Sequence, residues 1–106
     1  MTRLVSLAAA LSVAALAATS AIAQSYGIRF QNNSNAVVYR IYYSPTDNQS
    51  WENDLLGANV LNPGQFLDVT IQNVSNCYYD LLVEFESGYS FTDVVDLCTI
   101  GRYVIN

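Results

Sequence analysis

The chain contains no histidine and no lysine. Serine and cysteine nucleophiles pass their proton to a nearby base of just these types, so the familiar acyl-transfer arrangements are excluded. Without histidine, a two-cysteine zinc site cannot be completed either. Cysteine itself is scarce: Cys77 and Cys98 stand alone, with no C-x-x-C spacing. Positive charge is nearly absent. Residues 24–106 hold Arg29, Arg40 and Arg102 against nine acids, three minus nine, a formal charge of −6. Such a domain repels phosphate backbones, which excludes nucleic acid as a partner class. Anionic membrane surfaces are disfavoured for the same reason. A divalent cation or a cationic protein is compatible with it. The remaining catalytic option is a carboxylate pair of the glycosidase kind. Nine acids make some pairs inevitable, and a small β-domain rarely has a deep, dry cleft to tune them. The chain reads as a non-enzyme.

A long apolar run is present once, at the start. Arg3 supplies a positive charge, Leu4 to Ala18 is almost unbroken Leu, Val and Ala, and Ala21-Ile22-Ala23 follows. This is the pattern of a cleaved secretory signal, residues 1–23, with cleavage expected between Ala23 and Gln24. The alternative, an uncleaved anchor, is disfavoured because the run is Ala-rich, falls short of roughly 20 residues and ends in a good cleavage site. After cleavage no stable membrane insertion is expected. No Arg-Arg pair marks the twin-arginine route. The Ala-rich composition suggests a bacterial source, and the destination is then the periplasm or the exterior.

Residues 24–106 form one domain, small enough to need a staple. In an oxidising compartment an isolated cysteine pair forms a disulfide, and Cys77–Cys98 is the expected bridge. Closing a loop of about 20 residues stabilises by roughly 3 kcal/mol in the chain-entropy model.

The domain reads as β throughout. Ile28 and Phe30 alternate with Arg29 and Gln31, and 32–35 is a turn cluster. The stretch 36–44 is rich in Val, Ile and Tyr, with Val37, Tyr39, Ile41 and Tyr43 on one face and Val38, Arg40 and Tyr42 on the other. Pro45 ends it. In the irregular stretch 46–59, Ser50 is placed to cap one helical turn over 51–56, with Gly57 ending it. Asn62-Pro63-Gly64 is a turn. Leu67, Val69 and Ile71 then alternate with polar residues. Tyr79, Leu81, Val83 and Phe85 do the same on a strand over 77–86, and 102–105 is a last short strand. Ser87-Gly88 reads as a two-residue hairpin turn. That register sets Cys77 directly opposite Cys98, in a non-hydrogen-bonded pair with Cα atoms about 4.5 Å apart. It also sets Ser90, Thr92 and Asp96 on the apolar face and Tyr89, Phe91, Val95 and Leu97 on the other. Either both faces are partly buried or bulges intervene. Six or seven short strands predict a small antiparallel sandwich, with a small β-barrel as the alternative and a C-terminal hairpin closed by the disulfide.

Two candidate sites stand out. Asp47, Glu52 and Asp54, with Asn48 and Asn53, offer the oxygen ligands that Ca2+ prefers, although the spacing is not that of an EF-hand. The other reading is a solvated turn in which Trp51, Leu55 and Leu56 plug the end of the core. Eight Tyr, four Phe and one Trp make the domain aromatic. Tyr39, Tyr43, Tyr79 and Phe85 are expected in the core. Tyr42, Tyr78 and Tyr89 near Arg40 form a candidate face for stacking on a carbohydrate or docking a protein. Filling a second sheet face is the alternative. Asp80 and Asp96 are expected to bond turn backbone or tyrosine hydroxyls. The Asn-x-Ser sites at Asn32, Asn48 and Asn73 mark turns.

Tyr43-Ser44-Pro45, Ser50-Trp51, Leu55-Leu56-Gly57, Pro63-Gly64, Cys77 with Tyr79-Asp80-Leu81, and Val95-Asp96-Leu97-Cys98 occur in this order. The ordered set resembles a widespread, uncharacterised group of small exported bacterial β-domain proteins. The resemblance implies export, the disulfide and a small β-domain, and transfers no catalytic residue. Together these readings lead to an exported, non-enzymatic binding or interaction module of unknown ligand. The alternatives are a structural subunit of a cell-surface assembly, which needs exposed strand edges, and an acidic inhibitor of a cationic enzyme.

Overall fold

The computed structural model of the protein describes residues 24–106. The signal-peptide reading of 1–23, with Ala23 of the expected cleavage site, lies outside the described residues. Six strands form: β1 (Gln24–Asn32), β2 (Val38–Pro45), β3 (Phe66–Val74), β4 (Tyr78–Phe85), β5 (Ser90–Asp96) and β6 (Arg102–Ile105). They make two three-stranded sheets, β3-β1-β6 and β2-β4-β5. Their inner faces share one core, in which Ile28, Phe30 and Ile105 of the first sheet join Val38, Ile41, Leu81 and Val83 of the second. The fold is therefore the all-β sandwich that the alternation predicts. One pairing departs from the antiparallel expectation. β6 runs parallel to β1, with Phe30 beside Tyr103 and Asn32 beside Ile105. The short crossing from β5 delivers β6 to the other sheet, where the Gly101 carbonyl accepts from the Arg29 N–H at 3.0 Å.

Two bulges decide which side chains enter the core. In β2 the register shifts between Val38 and Arg40. The extra residue lets Val38 and Ile41 both point inward, each fully buried, and turns Tyr39 out to 43% exposure. The expected core role of Tyr39 is thus corrected. In β3 the register shifts between the partners of Gln24 and Tyr26. Asn73 takes a left-handed φ of 58° there, so Ile71 and Val74 are both buried three residues apart.

The hairpin differs from expectation by one residue. Gly88 N–H donates to Phe85 O and Phe85 N–H to Tyr89 O, so the loop is Glu86-Ser87-Gly88, with Gly88 at φ 95°. A one-residue change moves every side chain of the returning strand to the other face. Val83 now faces Phe91 and Tyr79 faces Val95. This removes the conflict of polar residues on the apolar face. Direct opposition of the cysteines is also corrected. Leu97 N–H donates to Cys77 O, and Cys98 lies one residue further, in the turn after β5. The Cys77–Cys98 disulfide forms there with Cα atoms 5.3 Å apart.

No helical turn forms over 51–56. The segment runs beside β2 instead, with Glu52 N–H donating to Tyr43 O and Leu55 N–H to Ile41 O. Further on, Leu61 and Val38 exchange two backbone bonds. The free edge of β2 is covered this way. Asn32, fully buried, fastens the opposite end. Its amide donates to Ala36 O and Leu61 O, and its carbonyl oxygen accepts from the Ser34 N–H and hydroxyl. All its hydrogen-bonding capacity is used, as burial requires.

Candidate functional site

The outer face of the second sheet is built from the even-numbered residues of β4 and β5 with their β2 partners. Ser44, Asp80 and Val94 form one row across it. The loop 46–53 borders this row. Its anchor is Ser44, buried, whose hydroxyl donates to Ser50 O at 2.7 Å. Ser50 N–H donates to Asn48 Oδ1, and Thr46 N–H to Tyr78 O. Trp51 thus has both neighbours tied to the sheet, Ser50 through its carbonyl to the Ser44 hydroxyl and Glu52 through its N–H to Tyr43 O. Its ring is not a core plug; it stays 43% exposed, while Leu56 is buried and Leu55 half-buried.

Trp51 and Asp80 line two adjoining depressions. One, of about 180 Å³, lies between the loop and the strand and includes Ser44, Asn48 and Gln49. The other, of about 450 Å³, extends over Thr92 and Val94. Asp80 is half-buried, and among the described residues no donor reaches its carboxylate. The expectation for Asp96 fits: its Oδ1 accepts from Cys98 N–H. For Asp80 neither turn backbone nor a tyrosine serves.

The calcium candidates do not converge. Asp54 is a structural group whose Oδ1 accepts from Ile41 N–H and Leu56 N–H, both at 3.0 Å. Asp47 and Glu52 are exposed, and neither joins Asp54 in a cluster of metal-ligating groups. Burial chiefly, then neighbouring negative charge including Glu52, raises the phenols of Tyr43 and Tyr79. Among the described residues, the cluster of metal-ligating types is Cys77, Asp96 and Cys98, and its two sulfurs are joined to each other.

The predicted tyrosine face is also divided. Arg40 donates to the Tyr42 and Tyr39 hydroxyls and lies 4.4 Å from the Tyr39 ring centre. Tyr78 is on the same outer face but four residues along, across from Thr46. Tyr89 is on the inner face, at the open end, against Phe85 and Phe91. The sequence assigns Trp51 to the core end and Asp80 to a hydrogen bond, and does not join them in one site. The signal was there: the one tryptophan sits among Asp47-Asn48-Gln49-Ser50 and Glu52-Asn53-Asp54, with no apolar alternation to draw it inward.

Comparison of the chain with protein-family models, with curated proteins and with solved structures finds no match. Among the described residues no helix is long and apolar enough to cross a membrane, and the disulfide is compatible with an extracellular location.

Proposed function

We propose that the protein is a non-enzymatic binding module acting in the periplasm or outside the cell, and that it binds through the Trp51–Asp80 groove. The observation that carries this reading is the single tryptophan, fastened on both flanks yet held 43% exposed beside a carboxylate that no donor reaches among the described residues. A large ring left partly in water forgoes stabilisation, since burying an apolar side chain the size of Phe is worth about 1.5–3 kcal/mol. A scaffold that fixes it outward, next to polar groups with spare hydrogen-bonding capacity, has the composition of a ligand site. The lack of histidine and lysine and of any free cysteine among the described residues supports binding over catalysis. The secretory signal pattern and the disulfide support export.

The test is a ligand screen by amide chemical-shift perturbation, with glycans, peptides and small ions. Shifts clustering at Ser44, Asn48 to Trp51, Asp80 and Val94 are expected. Shifts confined instead to the separate depression between β5 and β6, lined by Tyr89, Arg102 and Tyr103, would overturn the assignment of the site.

A further inference from the structure

The first sheet displays a complete version of what the second leaves open. On its outer face Arg29 and Asp68 stand directly opposite each other on β1 and β3. The guanidinium binds the carboxylate through two bonds, Nε to Oδ1 at 2.7 Å and Nη2 to Oδ2 at 2.9 Å. The same guanidinium lies 3.9 Å from the centre of the Phe66 ring. One cation satisfies one aromatic ring and one aspartate. On the second sheet, Trp51 and Asp80 supply the ring and the aspartate. The cross-strand position that Arg29 fills is occupied there by Val94.

Nothing else on that face supplies the charge. Of the four strand aspartates, Asp68 is held by Arg29, Asp93 by the Tyr103 hydroxyl and Asp96 by the Cys98 N–H. Asp80 alone has no donor among the described residues. Arg40 is engaged with Tyr39 and Tyr42 and pairs with Glu84, four residues along β4. That is roughly 13 Å of strand, beyond the screening length of about 8 Å at physiological ionic strength. The charge of −6 on residues 24–106 attracts cations to the whole surface.

We infer that the Trp51–Asp80 groove takes an organic cation, an alkylammonium or guanidinium group lying on the indole with its N–H groups on the Asp80 carboxylate. The inference rests on the groove being the binding site. Indole is the strongest of the aromatic partners for a cation, and hydrogen bonds between ionised groups are about twice as strong as neutral ones. A sugar ring could stack on the same indole, but it brings no charge to Asp80. The cation can be a lysine or arginine side chain of a protein or a free polyamine.

Trp51 is the only tryptophan, so its emission reports on the groove directly. The purified protein is titrated with N-acetyl-arginine methylamide, N-acetyl-lysine methylamide, spermidine and, as a neutral arm, an N-acetylglucosamine oligomer. The expected result is a saturable change with the cations that weakens at high salt. Asp80→Asn, which removes no protein contact, should weaken it about tenfold, the worth of one charge-assisted hydrogen bond. Tighter binding of the amino-acid probes than of spermidine points to a protein partner, and the reverse order to a free polyamine. Silence with every cation overturns the inference. So does equal cation binding by Asp80→Asn. A response to the neutral oligomer alone, unchanged by salt, would keep the groove as the site and reject the cation.

Discussion

The outer faces of the two sheets carry similar groups in different states of completion. On the first, Arg29, Asp68 and Phe66 satisfy one another. On the second, Trp51 and Asp80 are held in place, and among the described residues no cation of the protein reaches them. The difference teaches that an exposed aromatic or an exposed acid is uninformative alone. What separates surface decoration from a candidate site is whether the protein supplies the complementary group.

The comparison presumes that both faces decorate one cooperative core, and the largest expected effects test that presumption. Replacing both cysteines, Cys77→Ala with Cys98→Ala, should cost roughly 3 kcal/mol in urea unfolding. The loss should appear equally in tryptophan emission from the second sheet and in far-ultraviolet dichroism. Asn32→Ala should cost about 2–3 kcal/mol, because the bonds of its buried side chain to Ala36 O, Leu61 O and the Ser34 N–H and hydroxyl are lost together. Separate transitions by the two probes would mean that the sheets unfold independently.

Smaller effects sharpen the contrast. The Tyr103 hydroxyl donates to Asp93 at 2.7 Å and joins the two sheets at their open edges. Burial first, then the bond to and charge of Asp93, pushes its phenol far above the tyrosine range. A phenol raised in the folded state stabilises fully below its ordinary value near 10, and that contribution is lost as pH rises beyond it. Tyr103→Phe should therefore flatten the alkaline limb of a stability–pH profile, at a cost of about 1 kcal/mol near neutrality. An unchanged alkaline limb would remove this tie from the account.

Arg29→Ala should change stability little, as expected for an exposed pair screened by solvent. Its clearest readout is Asp68. The hydrogen bond from Arg29 chiefly, with its charge, holds that carboxyl below its ordinary 3.8. Its contribution is present above that value and fades as pH falls through the lower folded one. Carboxyl titration by NMR should show Asp68 returning toward 3.8 in Arg29→Ala. No movement would mean that the first sheet's trio is not formed in solution.

Much of the fold was legible in the chain. Strict alternation over 67–71 and 79–85 identified β3 and β4 and their inward residues, and the cysteine pair was identified from compartment and count. The errors of face assignment along the strands have one cause. Period-2 reading assumes an unbroken register, and each added residue inverts everything beyond it. The bulges at Tyr39 and Asn73 and the third loop residue before Tyr89 are such additions. They sent Tyr39 outward, Phe91 and Val95 inward, and Tyr89 away from Tyr42 and Tyr78. The groove was less legible because it joins residues 30 apart in sequence, and nothing local to Asp80 reveals that it lacks a donor.

The most direct measurement copies the first sheet onto the second. Val94 is cross-strand to Asp80 as Arg29 is to Asp68. The wild type, Val94→Arg and Val94→Gln are titrated side by side with N-acetyl-arginine methylamide, following Trp51 emission. The account predicts binding to the wild type and to Val94→Gln, and none to Val94→Arg, whose own guanidinium occupies the site. Equal binding by all three proteins, or equal loss in both variants, would contradict it.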